Sequence, residues 1–375
     1  MLAQSNQIKC KSPKKDDFFF KKSSGKKTTS KKGKNRTKPR FWSGEKSAFL
    51  DTLAQLTTTF DIRPVQVADF QQLERISRGG QKTINLAPLA ASKYMTIKFC
   101  SMLQYYNPES ELRRAYSNSI HCCDCYTVNT KNNLISKHCK NRWCLKCNRI
   151  RTAVLRIGYL PQFRNMDDPQ FVTLTARTVK GEKLPERIKF FEECWRKIMK
   201  YKVQHGKRLG ISLVGLRKAE CTPRPNDEYH YHFHLVLDGE RNANWLVEQW
   251  LRMMGDKAVS GAQYVKKADE NSLAELFKYF TKISSKMTGK DGYLGAPQQL
   301  DHIFTCVRGK RVFQPFGGLK MVSEDMTEEH VPYQLPDRLE GREYWWAGED
   351  WVSEYGELLT KFEPTEQQKK SFTYS

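Results

Sequence analysis

The chain has 375 residues, room for two or three domains and one substantial core, and carries a formal net charge of +23. So strong a balance calls for a polyanionic partner, nucleic acid first, bound through neutralised phosphates and released counterions. A membrane partner is disfavoured, because no apolar run is long enough to span a bilayer and the opening residues lack a secretory core. A cytoplasmic protein with reduced thiols is expected.

Residues 1–42 read as a disordered basic tail: the first 40 hold 14 Lys and Arg against Asp16 and Asp17, with few aliphatic side chains to bury. Residues 43–115 read as a helical region. Phe49, Leu50, Leu53 and Leu56 share one helical face, 65–78 continues with similar spacing until Gly79-Gly80, and 88–104 gives a further stretch. A cysteine-rich module occupies 116–151. Beyond it, 170–176 alternates like a strand and 186–203 is amphipathic like a helix. Two strand-like runs, 211–221 and 229–237, are separated by turn residues. A helix at 244–254, a short strand at 262–266 and a helix at 271–285 follow. Strands and helices alternating with a hairpin predict an α+β domain over 165–290, built on a central antiparallel sheet with flanking helices. The aromatic-rich stretch 296–375 is expected to form an accessory region.

Six of the 11 cysteines fall between 122 and 147. Cys122-x-x-Cys125 and Cys144-x-x-Cys147 have 18 residues between them, a spacing that suits a structural Zn2+ site closed by four thiolates. Cys139 with Cys144, Cys147 and one cysteine of the first group serves nearly as well, so the four ligands stay open. Lys140, Arg142, Arg149 and Arg151 beside the cluster make it a candidate DNA-contacting module.

Three of only eight histidines lie in YHYHFHLVL, residues 229–237. On a strand, His230, His232 and His234 project from one face, and Tyr231, Phe233 and Leu235 from the other. If a hairpin is centred near Asn226, Glu220 pairs across from position 232. Two imidazoles and one carboxylate then make a mixed site suited to Mg2+ or Mn2+, with His230 as a third imidazole or a phosphate contact. On the helix expected at 271–285, Glu275 and Tyr279 are one turn apart, as are Lys278 and Lys282. The two lysines and a metal would favour the phenolate of Tyr279, and Glu275 would take a proton from a second attacking group.

The order FVTLT (171–175), YHYHFHLVL (229–237) and ELFKYFTK (275–282), preceded by CKNRWCLKC (139–147), resembles the rolling-circle plasmid replication initiators of the HUH endonuclease superfamily. The likeness is to the branch with a single catalytic tyrosine. It covers roughly 120–290 and implies His232, His234 and Glu220 as metal ligands, Tyr279 as the nucleophile that nicks one origin strand and keeps the 5′ phosphate, and Glu275 as the activator at termination. It also implies FVTLT as the central strand, without chemistry of its own, and a host polymerase and helicase as partners. A single-strand transposase also combines a cysteine knuckle with this histidine pair, and a non-catalytic zinc module that binds nucleic acid is the reading from another class.

Overall fold

A computed structural model describes residues 86–130, 132–277, 296–321 and 339–372. It opens with α1 (Ala87–Tyr106) and α2 (Arg113–Ile120), then a small pair of strands, β1 (Cys125–Val128) and β2 (Leu134–Ile135), and α3 (Leu145–Arg164). The central run is β3 (Pro169–Thr175), β4 (Val179–Lys180), α4 (Leu184–Leu209), β5 (Gly215–Arg224), β6 (Glu228–Asp238), α5 (Glu240–Met254), β7 (Tyr264–Lys267) and α6 (Glu270–Phe277). After it come α7 (Pro297–Cys306), β8 (Phe313–Phe316), β9 (Glu343–Trp346), β10 (Trp351–Ser353) and α8 (Glu366–Lys370). Among the described residues, no helix is long and apolar enough to cross a membrane.

The architecture is α+β with a central antiparallel sheet, as the alternation of elements implies. Its strand order is β7-β3-β6-β5-β8, with β4 added beside one end of β6. The histidine strand β6 is therefore the middle strand, and FVTLT on β3 is its neighbour rather than the centre. β5 and β6 form the hairpin: Pro225, Asn226 and Asp227 make the turn, with Asn226 and Asp227 at φ of 59° and 55°. Asn and Asp tolerate that left-handed conformation better than other side chains. The turn sets a register in which Glu220 faces His232 and Lys218 faces His234.

Period two along β6 sorts its side chains into two cores. Tyr229, Tyr231, Phe233, Leu235 and Leu237 are buried with Leu184, Ile188, Phe191, Trp195 and Ile198 of α4 and Ala243, Leu246 and Trp250 of α5. Those helix residues recur every three or four positions and so form single apolar stripes. Pro185 begins α4 and Gly210, at φ 65°, ends it. On the opposite face, Val236 packs with Phe171, Leu216, Tyr159 and Phe163 of α3, and Leu276 and Phe277 of α6. Each fully buried large apolar side chain contributes roughly 1.5–3 kcal/mol, so both faces are firmly covered. The histidines lie on the face that α3 and α6 cover.

A second antiparallel sheet, β10-β9-β1-β2, is built on the cysteine module. Trp351 and Tyr344 from the C-terminal stretch are buried there with Tyr126, Val128 and Leu134, and Trp351 Nε1 donates to the Cys123 carbonyl at 2.8 Å. The described residues of 296–321 and 339–372 thus pack into both sheets. α7 and β8 join the central domain, while β9 and β10 complete the cysteine module.

Candidate functional site

On β6, His232 and His234 are 5% and 9% exposed, and their Nε2 atoms are 3.1 Å apart. Glu220 on β5 brings one carboxylate oxygen to 4.0 Å from His232 Nε2 and the other to 3.8 Å from His234 Nε2. His232 Nδ1 lies 3.1 Å from the His230 carbonyl. A carbonyl only accepts, so Nδ1 carries the proton and Nε2 presents a lone pair to the cluster. Thr173 Oγ1, directly across on β3, holds His234 Nδ1 at 3.1 Å. FVTLT therefore contributes a side chain that positions His234, besides serving as a scaffold strand.

Two imidazole nitrogens converging beside a carboxylate form a donor set suited to a divalent cation. An octahedral ion with bonds of about 2.1 Å has adjacent ligands about 3.0 Å apart, close to the Nε2 separation. Glu220, His232 and His234 therefore form a group that could hold a divalent metal ion. His230 is drawn the other way: its Nε2 is hydrogen-bonded to Thr175 Oγ1, across the sheet. Burial first, then the charges of His232 and Arg224, push its pKa down to about 4, so it is neutral at physiological pH.

Lys218 was not singled out by the sequence. Its side chain is buried and its Nζ donates to Glu220 Oε2 at 2.7 Å and to the Glu275 carbonyl of α6 at 3.3 Å. One ammonium thus ties the Glu220 carboxylate to the helix that carries Glu275. Lys218→Met is expected to destabilise the metal-free protein on the order of 3 kcal/mol, by leaving a largely buried carboxylate without its cation. Added Mn2+ is expected to restore part of that loss. Melting curves with and without Mn2+ check this, and a Mn2+ shift no larger than in the wild type counts against it. Lys278, Tyr279 and Lys282 lie outside the described residues.

The second cluster is formed by Cys122, Cys139, Cys144 and Cys147. Cys147 Sγ is 3.6 Å from Cys122 Sγ and 3.7 Å from Cys139 Sγ. A tetrahedron with metal–sulfur bonds of about 2.3 Å has edges of about 3.8 Å, so the set fits Zn2+. Backbone N–H groups aim at the sulfurs: Cys139 N donates to Cys122 Sγ at 3.3 Å, and Cys147 N to Cys144 Sγ at 3.5 Å, where Cys144 caps α3. Hydrogen bonds from Cys123 first, then Cys139, Cys144 and Cys147, hold the Cys122 thiol well below its ordinary pKa. Of the two ligand sets left open by spacing, the structure assembles the one with Cys139. Cys125 instead enters β1, opposite Trp345, and lies outside the cluster.

The basic neighbours of this cluster are engaged internally. Arg142 donates to the carbonyls of Val307 and Lys310, Arg149 to Ser92 Oγ and the Pro88 carbonyl, and Arg151 to Asn148 Oδ1 and the Lys140 carbonyl. Lys140 itself adopts φ 58° just after Cys139. Arg142 and Arg149 thereby tie the module to the end of α7 and to α1.

The sequence profile of the Rep_1 family, described as replication protein, matches residues 134–349, more than half of the chain. The chain belongs to the replication protein family. Residues 134–349 include both halves of the β5–β6 hairpin and three of the four clustered cysteines. A Protein rep of Staphylococcus aureus is 27% identical over 171 residues, covering 41% of this chain and 69% of that protein. A Protein rep of Bacillus amyloliquefaciens is 40% identical over 74 residues, 19% of this chain and 20% of that one. A third, from Lentilactobacillus hilgardii, is 30% identical over 106 residues, 26% and 32% of the two chains. The chain thus spans most of the first relative and a third or less of the other two. No solved structure matches this replication protein.

Proposed function

We propose that this replication protein initiates rolling-circle plasmid replication by nicking one DNA strand at the origin. The phenol oxygen of Tyr279 attacks the scissile phosphorus. The Tyr–O–P bond forms, the P–O3′ bond breaks, and the departing 3′ oxygen takes a proton and becomes the hydroxyl a host polymerase extends. A host helicase would open the duplex ahead. At termination Glu275 takes the proton from the second attacking group, which lets one tyrosine serve both cuts. Lys278 and Lys282 favour the ionised phenol.

His232, His234 and Glu220 would hold Mg2+ or Mn2+, which as a Lewis acid polarises a phosphoryl oxygen. The chain's own contribution is orientation. His230 O and Thr173 fix the two imidazoles, and Lys218 fixes the carboxylate. The observation carrying this reading is the convergence of the three ligands on the sheet face covered by α6, the helix of Glu275, in a chain of the replication protein family.

The experiment incubates the protein with Mn2+ and single-stranded circles of the replicon that encodes it, then locates the DNA-linked peptide by mass spectrometry. The adduct is expected on Tyr279 and is lost in Tyr279→Phe. An adduct on another residue, or one that survives this substitution, rejects the nucleophile.

A further inference from the structure

Where the histidine column reaches the β5–β6 turn, it meets a cleft of about 540 Å³ whose lining includes Arg177, Thr178, Arg224, Asn226, Glu228 and His230. That size falls within the range of small-ligand pockets. The cleft's single carboxylate is already engaged: Glu228 lies 3.7 Å from Lys180 Nζ and accepts from Thr178 Oγ1 at 3.1 Å. Asp227 nearby accepts from Tyr229 Oη at 2.8 Å. Arg177 and Arg224 are both exposed, and neither has an ion pair among the described residues. Two guanidiniums without counter-charges therefore dominate the cleft.

Their backbones are fixed. Arg177 N donates to the Lys257 carbonyl and its own carbonyl accepts from Arg187 Nη1, both at 2.9 Å. The Arg224 carbonyl accepts from Gln299 Nε2 at 3.0 Å, and the Asn226 carbonyl from Lys180 Nζ at 2.7 Å. Guanidinium forks on a braced frame suit a phosphate. Arg224 is four strand positions from Glu220, roughly 13 Å along β5, too far to touch a phosphate held at the ligand cluster.

We infer that the cleft seats a backbone phosphate of the single strand flanking the cut, between Arg177 and Arg224. The strand then runs from the ligand cluster past His230 toward the β5–β6 turn. The nicking proposal supplies the strand's identity; the seat itself is tested by binding alone.

The test follows a fluorescent oligothymidylate of about 20 nucleotides by anisotropy across a range of salt, with the full chain. Arg177→Gln/Arg224→Gln is expected to weaken binding about 10-fold and to reduce the slope of log K against log salt by about 0.7 for each phosphate no longer neutralised. Lys207→Gln/Arg208→Gln, exposed at the far end of α4, should keep the wild-type slope. An unchanged slope in the cleft variant overturns the inference, as does an equal loss in the control. A cleft variant that loses Mn2+ together with DNA also overturns it, since the arginines would then support the ligand cluster. Nicking is scored separately on the wild type: nicking with an unchanged slope removes the seat alone, and the expected slope change without nicking removes the nicking proposal alone.

Discussion

His232→Ala is expected to abolish Mn2+-dependent strand cleavage while leaving the zinc content and the fold unchanged. His232 is the middle member of the column, with one nitrogen fixed by the His230 carbonyl and the other 3.1 Å from His234 Nε2. Outer groups that merely orient a ligand typically contribute 10–100-fold to metal affinity, so loss of a ligand should cost more than about 100-fold. The alanine removes an imidazole that packs against its neighbours rather than against the aromatic core of α4 and α5, so unfolding is not expected. The measurements are Mn2+ affinity, cleavage of a single-stranded substrate and zinc per chain on one preparation. Cleavage at the wild-type rate would show that the histidine pair does not serve the reaction. EDTA cannot replace this variant, because a chelator strips both clusters.

The histidine site was legible because two local rules fix it. Alternation along 229–237 puts His230, His232 and His234 on one face, and the Pro225-Asn226-Asp227 turn sets the pairing that brings Glu220 opposite His232. Both rules act within about 20 residues of chain. What escaped the sequence depends on distant partners. Lys218 matters because the Glu275 carbonyl arrives from α6, and Thr173 because β3 pairs with β6 in one particular register. The cysteine choice escaped for the same reason. Cys125 leaves the cluster because β1 pairs with residues 343–346, and no spacing between 116 and 151 encodes that partner. The same long-range pairing divides the C-terminal stretch between two sheets. Arg142 and Arg149 hold the carbonyls of Val307 and Pro88, partners that a charge pattern does not specify.

Cys139→Ser is expected to remove the bound zinc and melt the cysteine module, whereas Cys125→Ser should keep one zinc per chain. Structural zinc sites contribute about 10–16 kcal/mol of apparent binding free energy at neutral pH, comparable with the ~5–15 kcal/mol that holds a whole domain together. Weakening this site therefore threatens the fold of the module and of whatever it braces. Cys144 caps α3, and Tyr159 and Phe163 of that helix pack with Phe171 and Val236 on the histidine face. Trp351, whose indole reaches the Cys123 carbonyl, would lose its anchor as well. Loss of zinc should therefore lower the melting temperature, raise tryptophan exposure and weaken Mn2+ binding at a site that shares no ligand with the cysteines. Cys139→Ser that keeps its zinc while Cys125→Ser loses it would exchange the two assignments. Zinc loss with Mn2+ affinity unchanged would show that α3 does not couple the two centres.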